Sequence, residues 1–314
     1  MKKILFAALA ALAITSCTQN EEIEAPSQKS EIDFSTAVNR STRAALTDNT
    51  NFKAFTVNAY SHAETFTGTI TSTIISNGAF TGSGDTWTST NKYYWPTSEK
   101  VTFFGYAPET ATFTKESEKY PTLAYTVLDD IATQEDLVAA QTPNATKTDK
   151  VALAFKHILT QINFELKGTD TNVTYNVTKI IIKDVIKDGV FTYGSTPDNS
   201  FGSWEAGTTK IASPYTINLT NCTFTGEATA TPLTAADQIL ILMPQDLSGI
   251  GIDVTYTATK GGVEICNTTK NISFTEGTWN PGQKITYTLK LAPGDEISLS
   301  GSVSDNWTPK NEEK

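Results

Sequence analysis

Side chains able to do chemistry are scarce in this sequence. Its 314 residues carry 2 His and 3 Cys, little material for a metal centre or a histidine-dependent active site. His62 follows a strand-like run in a polar turn and reads as a solvated or capping histidine. His157 lies in Phe155-Lys156-His157-Ile158-Leu159, whose apolar neighbours predict a core or capping role with a satisfied hydrogen bond. Asp129-Asp130 and Glu135-Asp136 read as loop and helix-start charges, and nothing near them suggests a general acid–base pair. There is no G-x-S-x-G elbow, no H-E-x-x-H, no C-x-x-C and no phosphate-cradling glycine loop. No catalytic constellation, metal or cofactor is expected.

Cys17 has a different use. Lys2 and Lys3 open the chain, Ile4 to Ile14 is an apolar run of eleven, and Thr15-Ser16 lead to the cysteine. Such a run is too short to span a bilayer, which takes about 20 residues, but it has the anatomy of a signal peptide. Ile14-Thr15-Ser16-Cys17 resembles a bacterial lipobox, in which the cysteine is acylated and becomes the new N-terminus; the plainer alternative is a secretory signal with a chance cysteine. Thr18 to Ser30 is polar, acidic and aperiodic, a tether. With Cys17 acylated, Cys222 and Cys266 are the thiols that remain, either as a disulfide or as two buried free cysteines.

The arginines say more. Of 24 basic residues only Arg40 and Arg43 are arginine, and both fall in Asn39-Arg40-Ser41-Thr42-Arg43-Ala44. A polar linker is where proteases cut. The pair reads as a processing site, cut after Arg43 or Arg40 by an Arg-specific protease, in preference to two solvated charges.

The elements around these residues are strands. The chain holds 53 Thr, 15 Phe, 11 Tyr and 5 Trp, residues that suit a pleated, half-buried surface. Strand signals recur at Ile32–Val38, Ala54–Tyr60, Val101–Tyr106, Leu123–Leu128, Val151–Phe155, Val173–Val185, Tyr215–Leu219, Ile239–Met243, Ile250–Thr259, Ile285–Leu291 and Ile297–Val303. Asn77-Gly78 and Asp188-Gly189 predict tight hairpin turns, and Pro293-Gly294-Asp295 a further turn. Thr133-Gln134-Glu135-Asp136 is a capping-box-like start that predicts one short helix through Ala140. The net charge of -10 disfavours nucleic acid as a partner, since no positive field draws in phosphates.

Several stretches carry a resemblance. Tyr93-Tyr94-Trp95-Pro96 precedes Phe103-Phe104-Gly105-Tyr106-Ala107-Pro108, then Gln134-Glu135-Asp136-Leu137-Val138-Ala139-Ala140 and Phe155-Lys156-His157-Ile158-Leu159-Thr160-Gln161-Ile162. Leu242-Met243-Pro244-Gln245 and Trp279-Asn280-Pro281-Gly282-Gln283-Lys284-Ile285-Thr286-Tyr287 follow. With Cys17 and the arginine site, this series resembles the fimbrillins, subunits of the type V pili of Bacteroides-like bacteria. Glu21-Glu22-Ile23-Glu24 behind Cys17 resembles the surface-export signal of lipoproteins in such bacteria, though it also suits a solvated linker. The resemblance implies an all-β chain of two tandem transthyretin-like Greek-key sandwiches. Its expected divisions are a signal peptide 1–17, a tether and removable first strand 18–43, an N-terminal domain 44–150 and a C-terminal domain 151–314. It also implies no enzymatic activity and no cofactor. Expected partners are other fimbrial subunits, an Arg-specific protease, the lipoprotein export machinery and, through lipid, the outer membrane. The expected place is the cell surface.

Two segments share an alternation that bears on assembly. Ile32-Asp33-Phe34-Ser35-Thr36-Ala37-Val38 and Ile297-Ser298-Leu299-Ser300-Gly301-Ser302-Val303 both read I-x-F/L-S-x-x-V. In an extended chain the apolar residues of each share one face. The expectation is that Ile32, Phe34 and Val38 fill a groove in their own subunit until the cut. A neighbour's strand, through Ile297, Leu299, Val303 and Trp307, then takes their place. An uncleaved anchor or tip adhesin is the nearest alternative. A glycan-binding surface lipoprotein, using Trp87, Trp95 or Trp204, is a more distant one.

Overall fold

The alternating threonine-rich runs become strands almost without exception. The computed structural model describes residues 30–38, 51–195, 201–226, 229–274, 276–294 and 297–303. Among them the regular elements are strands and two 3-10 turns, Ile131–Thr133 and Ala236–Gln238. No helix there is long and apolar enough to cross a membrane.

The strands of the first half are β1 (Phe34–Val38), β2 (Ala54–His62), β3 (Ser72–Ser83), β4 (Thr86–Thr88), β5 (Lys100–Ala107), β6 (Thr112–Thr114), β7 (Thr122–Thr126), β8 (Val138–Ala145) and β9 (Val151–His157). Then come β10 (Thr160–Gly168), β11 (Val173–Lys183), β12 (Asp188–Tyr193), β13 (Gly202–Ala206), β14 (Tyr215–Asn218), β15 (Thr223–Thr225) and β16 (Thr231–Pro232). The last are β17 (Leu240–Leu242), β18 (Gly251–Lys260), β19 (Val263–Ser273), β20 (Lys284–Leu291) and β21 (Ser298–Val303).

Seven strands form one sheet in the order β1-β9-β8-β5-β2-β3-β4, and a four-stranded sheet, β13-β12-β7-β6, lies against it. β5 is buried on both faces. Its Phe103 joins a core with Phe34, Phe55, Phe80 and Phe155, while Phe104 and Tyr106 face a second core with Leu123, Phe191 and Tyr193. The remaining strands make the sheets β16-β10-β20-β21, with β17 also on β10, and β14-β11-β18-β19, with β15 also on β11. These two enclose Phe164, Tyr175, Tyr256, Trp279 and Leu289. The buried Trp279 indole N–H donates to Tyr287 Oη at 2.9 Å. Pairing carries the first sheet past residue 150, because β9 pairs with β1 and β8. β12 and β13, later still, join β7.

Three expectations are corrected. The helix over 133–140 does not form: only Ile131–Thr133 is helical, and residues from Val138 enter β8 between β5 and β9. Leu137, Val138, Ala139 and Ala140 are all wholly buried, and packing against two cores outweighs the capping-box signal. Asn77-Gly78 is not a hairpin turn but a bulge within β3, where Asn77 has φ 46°. Asn77 N–H donates to Asn58 Oδ1 and Asn58 Nδ2–H to Asn77 Oδ1, at 2.9 and 3.0 Å, which satisfies the interrupted ladder. Asp188-Gly189 also turns no hairpin. The chain there leaves the sheet of β11 for that of β12, and Asp188 binds Thr209 N–H and Oγ1 at 2.9 and 3.0 Å.

Candidate functional site

β1 closes the seven-stranded sheet into a roll. Along one side it pairs in parallel with β9, from Phe34 opposite Val151 to Val38 opposite Phe155. Along the other it meets a rim near the far end of the same sheet. Thr36 N–H donates to Gly84 O at 3.2 Å, Ile32 N–H to Tyr93 O at 2.8 Å, and Trp95 N–H to Ser30 O at 3.0 Å. Alternation puts Ile32, Phe34 and Val38 inward, and all three are buried. Phe34 is ringed edge-on by Phe55, Phe80 and Phe103, with centroids 5.9, 4.8 and 5.7 Å away. The three residues singled out from the sequence therefore occupy one apolar groove.

The rim is polar toward solvent. Lys92 Nζ binds Glu31 Oε2 at 2.7 Å, and accepting that hydrogen bond, the Glu31 carboxylate raises the ammonium above its ordinary value. Inside, Trp95 packs on Phe103, and its indole N–H has no hydrogen-bond partner among the described residues. Sequence reasoning missed both features; a partner across space has no local signature.

The C-terminal segment sits differently. β21 is an edge strand, antiparallel to β20 from Lys290–Ser298 to Ile285–Val303. The turn before it holds Gly294 at φ 80°. Ile297 is buried and Leu299 half-buried, but Val303 is 57% exposed. β1 is thus a plug inside a core, whereas β21 is a ladder-held edge with little side-chain cover. Cys17, Arg40, Arg43 and Trp307 lie outside the described residues.

The histidines and cysteines have structural settings. His62 is not a solvated turn residue: it ends β2, is buried, and donates from Nδ1 to Glu64 O at 3.0 Å. Thr102 Oγ1 accepts from Asn144 N–H at 3.0 Å, which leaves its own proton for His62 Nε2 at 2.8 Å. That network assigns a neutral Nδ1–H tautomer, and burial lowers the imidazole's pKa. His157 Nδ1 lies 2.5 Å from Asp136 Oδ2, both side chains fully buried. Asp136 is therefore a core group and not a helix-start charge.

Cys222 and Cys266 are free thiols, and burial pushes the Cys222 thiol up. A bond between them is not available. Cys222 borders β15 and Cys266 is in β19, with β11 and β18 between. Three strand spacings come to about 14 Å, twice the reach of a disulfide's Cα atoms at about 7 Å.

The three tryptophans named for a sugar platform all have ring partners. Trp87 packs on Phe52 and Phe55, Trp95 on Phe103 and Trp204 on Phe191, so each ring serves a core. Among the described residues no group of three His, Cys, Asp or Glu is placed to hold a metal ion.

Comparison with known proteins extends these observations. A family model described as Fimbrillin-like matches residues 40–307, beginning just behind β1. Fimbrium subunit Fim1C of Phocaeicola vulgatus is 25% identical in an alignment covering 98% of this chain and 96% of that protein. A solved structure of a fimbrial protein from Bacteroides vulgatus shares the fold with a TM-score of 0.63 at 20% identity, covering 88% of this chain and 99% of that one.

Proposed function

The chain belongs to the fimbrillin-like family, and from that premise we propose that it is a structural subunit of a cell-surface fimbrium that supports adhesion. It is exported as a lipoprotein acylated at Cys17 and held at the outer membrane. An Arg-specific protease cuts after Arg43 or Arg40. The first strand then leaves, and the C-terminal strand of a neighbouring subunit, through Ile297, Leu299, Val303 and Trp307, takes its groove.

One observation carries this reading. β1 is a five-residue plug anchored by the buried Phe34 and Val38, and the two arginines follow directly behind it in the chain. A cut there unlinks the plug covalently from the body it seals. A main-chain ladder on the β9 side, separate main-chain hydrogen bonds along the opposite rim and pockets for alternate side chains suit the groove to another strand of the same pattern. An empty groove would expose a sheet edge and an aromatic core, so one occupant must replace the other directly.

N-terminal sequencing of the material on the cell surface tests the proposal. Ala44, or Ser41 if the cut follows Arg40, is the expected first residue. A blocked, lipid-modified Cys17 in assembled material overturns the cleavage step and leaves an uncleaved anchor.

A further inference from the structure

The resident strand and the C-terminal strand share more than alternation. Ser30-Glu31-Ile32-Asp33-Phe34-Ser35-Thr36-Ala37-Val38 aligns without a gap with Asp295-Glu296-Ile297-Ser298-Leu299-Ser300-Gly301-Ser302-Val303. Both have a glutamate before the isoleucine. At the position before that, Ser30 is matched by Asp295.

The groove's entrance lies against these two positions. Glu31 bridges Tyr94 in antiparallel fashion, with Ser30 opposite Trp95 and Ile32 opposite Tyr93. Directly opposed residues of an antiparallel pair turn their side chains to one face, about 5 Å apart at Cβ. Trp95 therefore faces the place held by Ser30. It is 8% exposed and its indole N–H is unpartnered. On the solvent side, Lys92 holds Glu31.

We propose that Trp95 and Lys92 are the groove's specificity determinants for the C-terminal strand of a second copy of this chain. Lys92 takes Glu296 in place of Glu31, and the Asp295 carboxylate accepts the indole N–H that Ser30 leaves unpaired. The inference rests on the strand exchange proposed above. A hydrogen bond to a carboxylate is stronger than one between neutral groups, so the incoming strand gains a contact that the resident strand lacks. The exposed Lys92 pair contributes register more than stability. A slip of two residues would place Ile297 or Pro293 opposite Trp95, neither with a side-chain acceptor, so the pair also fixes the frame.

The test uses the purified, uncleaved full-length chain, triggered by an Arg-specific endoprotease. Fibre growth is followed by light scattering, and subunit loss from the fibres by gel electrophoresis after detergent challenge. Asp295→Ala should speed subunit loss about tenfold, Trp95→Phe should do the same, and the double variant should be no worse than either. Lys92→Glu should slow growth, and adding Glu296→Lys should restore it. If Trp95→Phe weakens the uncleaved chain, the Asp295 arm and the charge swap decide alone. Asp295→Ala fibres that match wild type, or a charge swap without rescue, overturn the assignment and leave strand exchange standing. No fibres from the cleaved wild-type chain overturn strand exchange itself, and this inference with it.

Discussion

Phe34 of β1 packs edge-on against Phe80 of β3, with centroids 4.8 Å apart and planes at 73°, although their strands lie near opposite ends of the same sheet. The contact exists because the sheet rolls until its edges meet across β1. The strand proposed to leave on processing is thus also the keystone of an aromatic core.

That dual role separates two states of one molecule. Phe34→Ala should destabilise the uncleaved subunit by about 3–5 kcal/mol, the range for removing a buried phenylalanine ring. Equilibrium denaturation of the uncleaved protein measures it. Assembled material made from the same variant should match wild type, since β1 is gone from it. A loss that persists in fibres means that β1 has stayed in place.

Processing gives the second prediction. Arg40→Ala with Arg43→Ala should yield a larger, lipid-bound monomer that does not assemble, because its groove stays filled. Immunoblots of surface fractions and electron microscopy check both halves. Ordinary fibres from the double variant count against cleavage at this site.

How much of this was legible in the sequence depended on whether the signal was local. Alternation placed Ile32, Phe34 and Val38 on one face, and the structure buries all three. It failed at β8, where Thr133-Gln134-Glu135-Asp136 imitates a helix start while the following residues are claimed by neighbours on both sides. It failed again at Asn77, whose fitness for positive φ serves a bulge as well as a turn. The His157–Asp136 contact joins residues 21 apart in sequence. No short-range pattern marks it, though His157 among apolar neighbours did predict a satisfied partner.

That contact makes the third prediction. Asp136 begins the approach to β8 and His157 ends β9, the strand that pairs with β1. Asp136→Ala leaves a fully buried imidazole without its carboxylate. Leaving a buried donor without its acceptor costs about 1–3 kcal/mol, and a loss of that size in the unfolding free energy from urea titration is expected. A loss below about 1 kcal/mol, the scale of surface pairs, would show that water replaces the carboxylate.

The pH dependence of the uncleaved subunit follows from His62. Burial lowers its pKa below 6.5, and Lys100 adds to the effect against an opposing hydrogen bond to Glu64. As pH falls below 6.5 the unfolded chain takes up a proton that the folded chain resists. Stability from this group is complete above 6.5, declines on acidification, and stops declining below the folded pKa. His62→Gln should flatten that part of the profile, measured as urea midpoints between about pH 7.5 and pH 5. An unchanged slope assigns the acid sensitivity to another group.

Truncation after Gly294 separates folding from donation. The removed strand contributes a buried Ile297 and a half-buried Leu299, while Val303 is mostly in solvent. Each fully buried aliphatic side chain is worth about 1.5–3 kcal/mol, so the side-chain loss should not exceed that for Phe34→Ala. β20 keeps β10 as its parallel partner from Ile285–Ile162 to Leu291–Gly168, and the sheet survives with β20 as its new edge. The truncated subunit should therefore fold and be cut. Its groove should accept a strand from an intact subunit, but it has none to give. Alone it should stay monomeric, and mixed with wild type it should shorten fibres in proportion to its share. Size-exclusion chromatography and electron microscopy distinguish these outcomes. Full-length fibres from the truncated chain alone would sink the role given to Ile297, Leu299 and Val303, because assembly would then proceed without them.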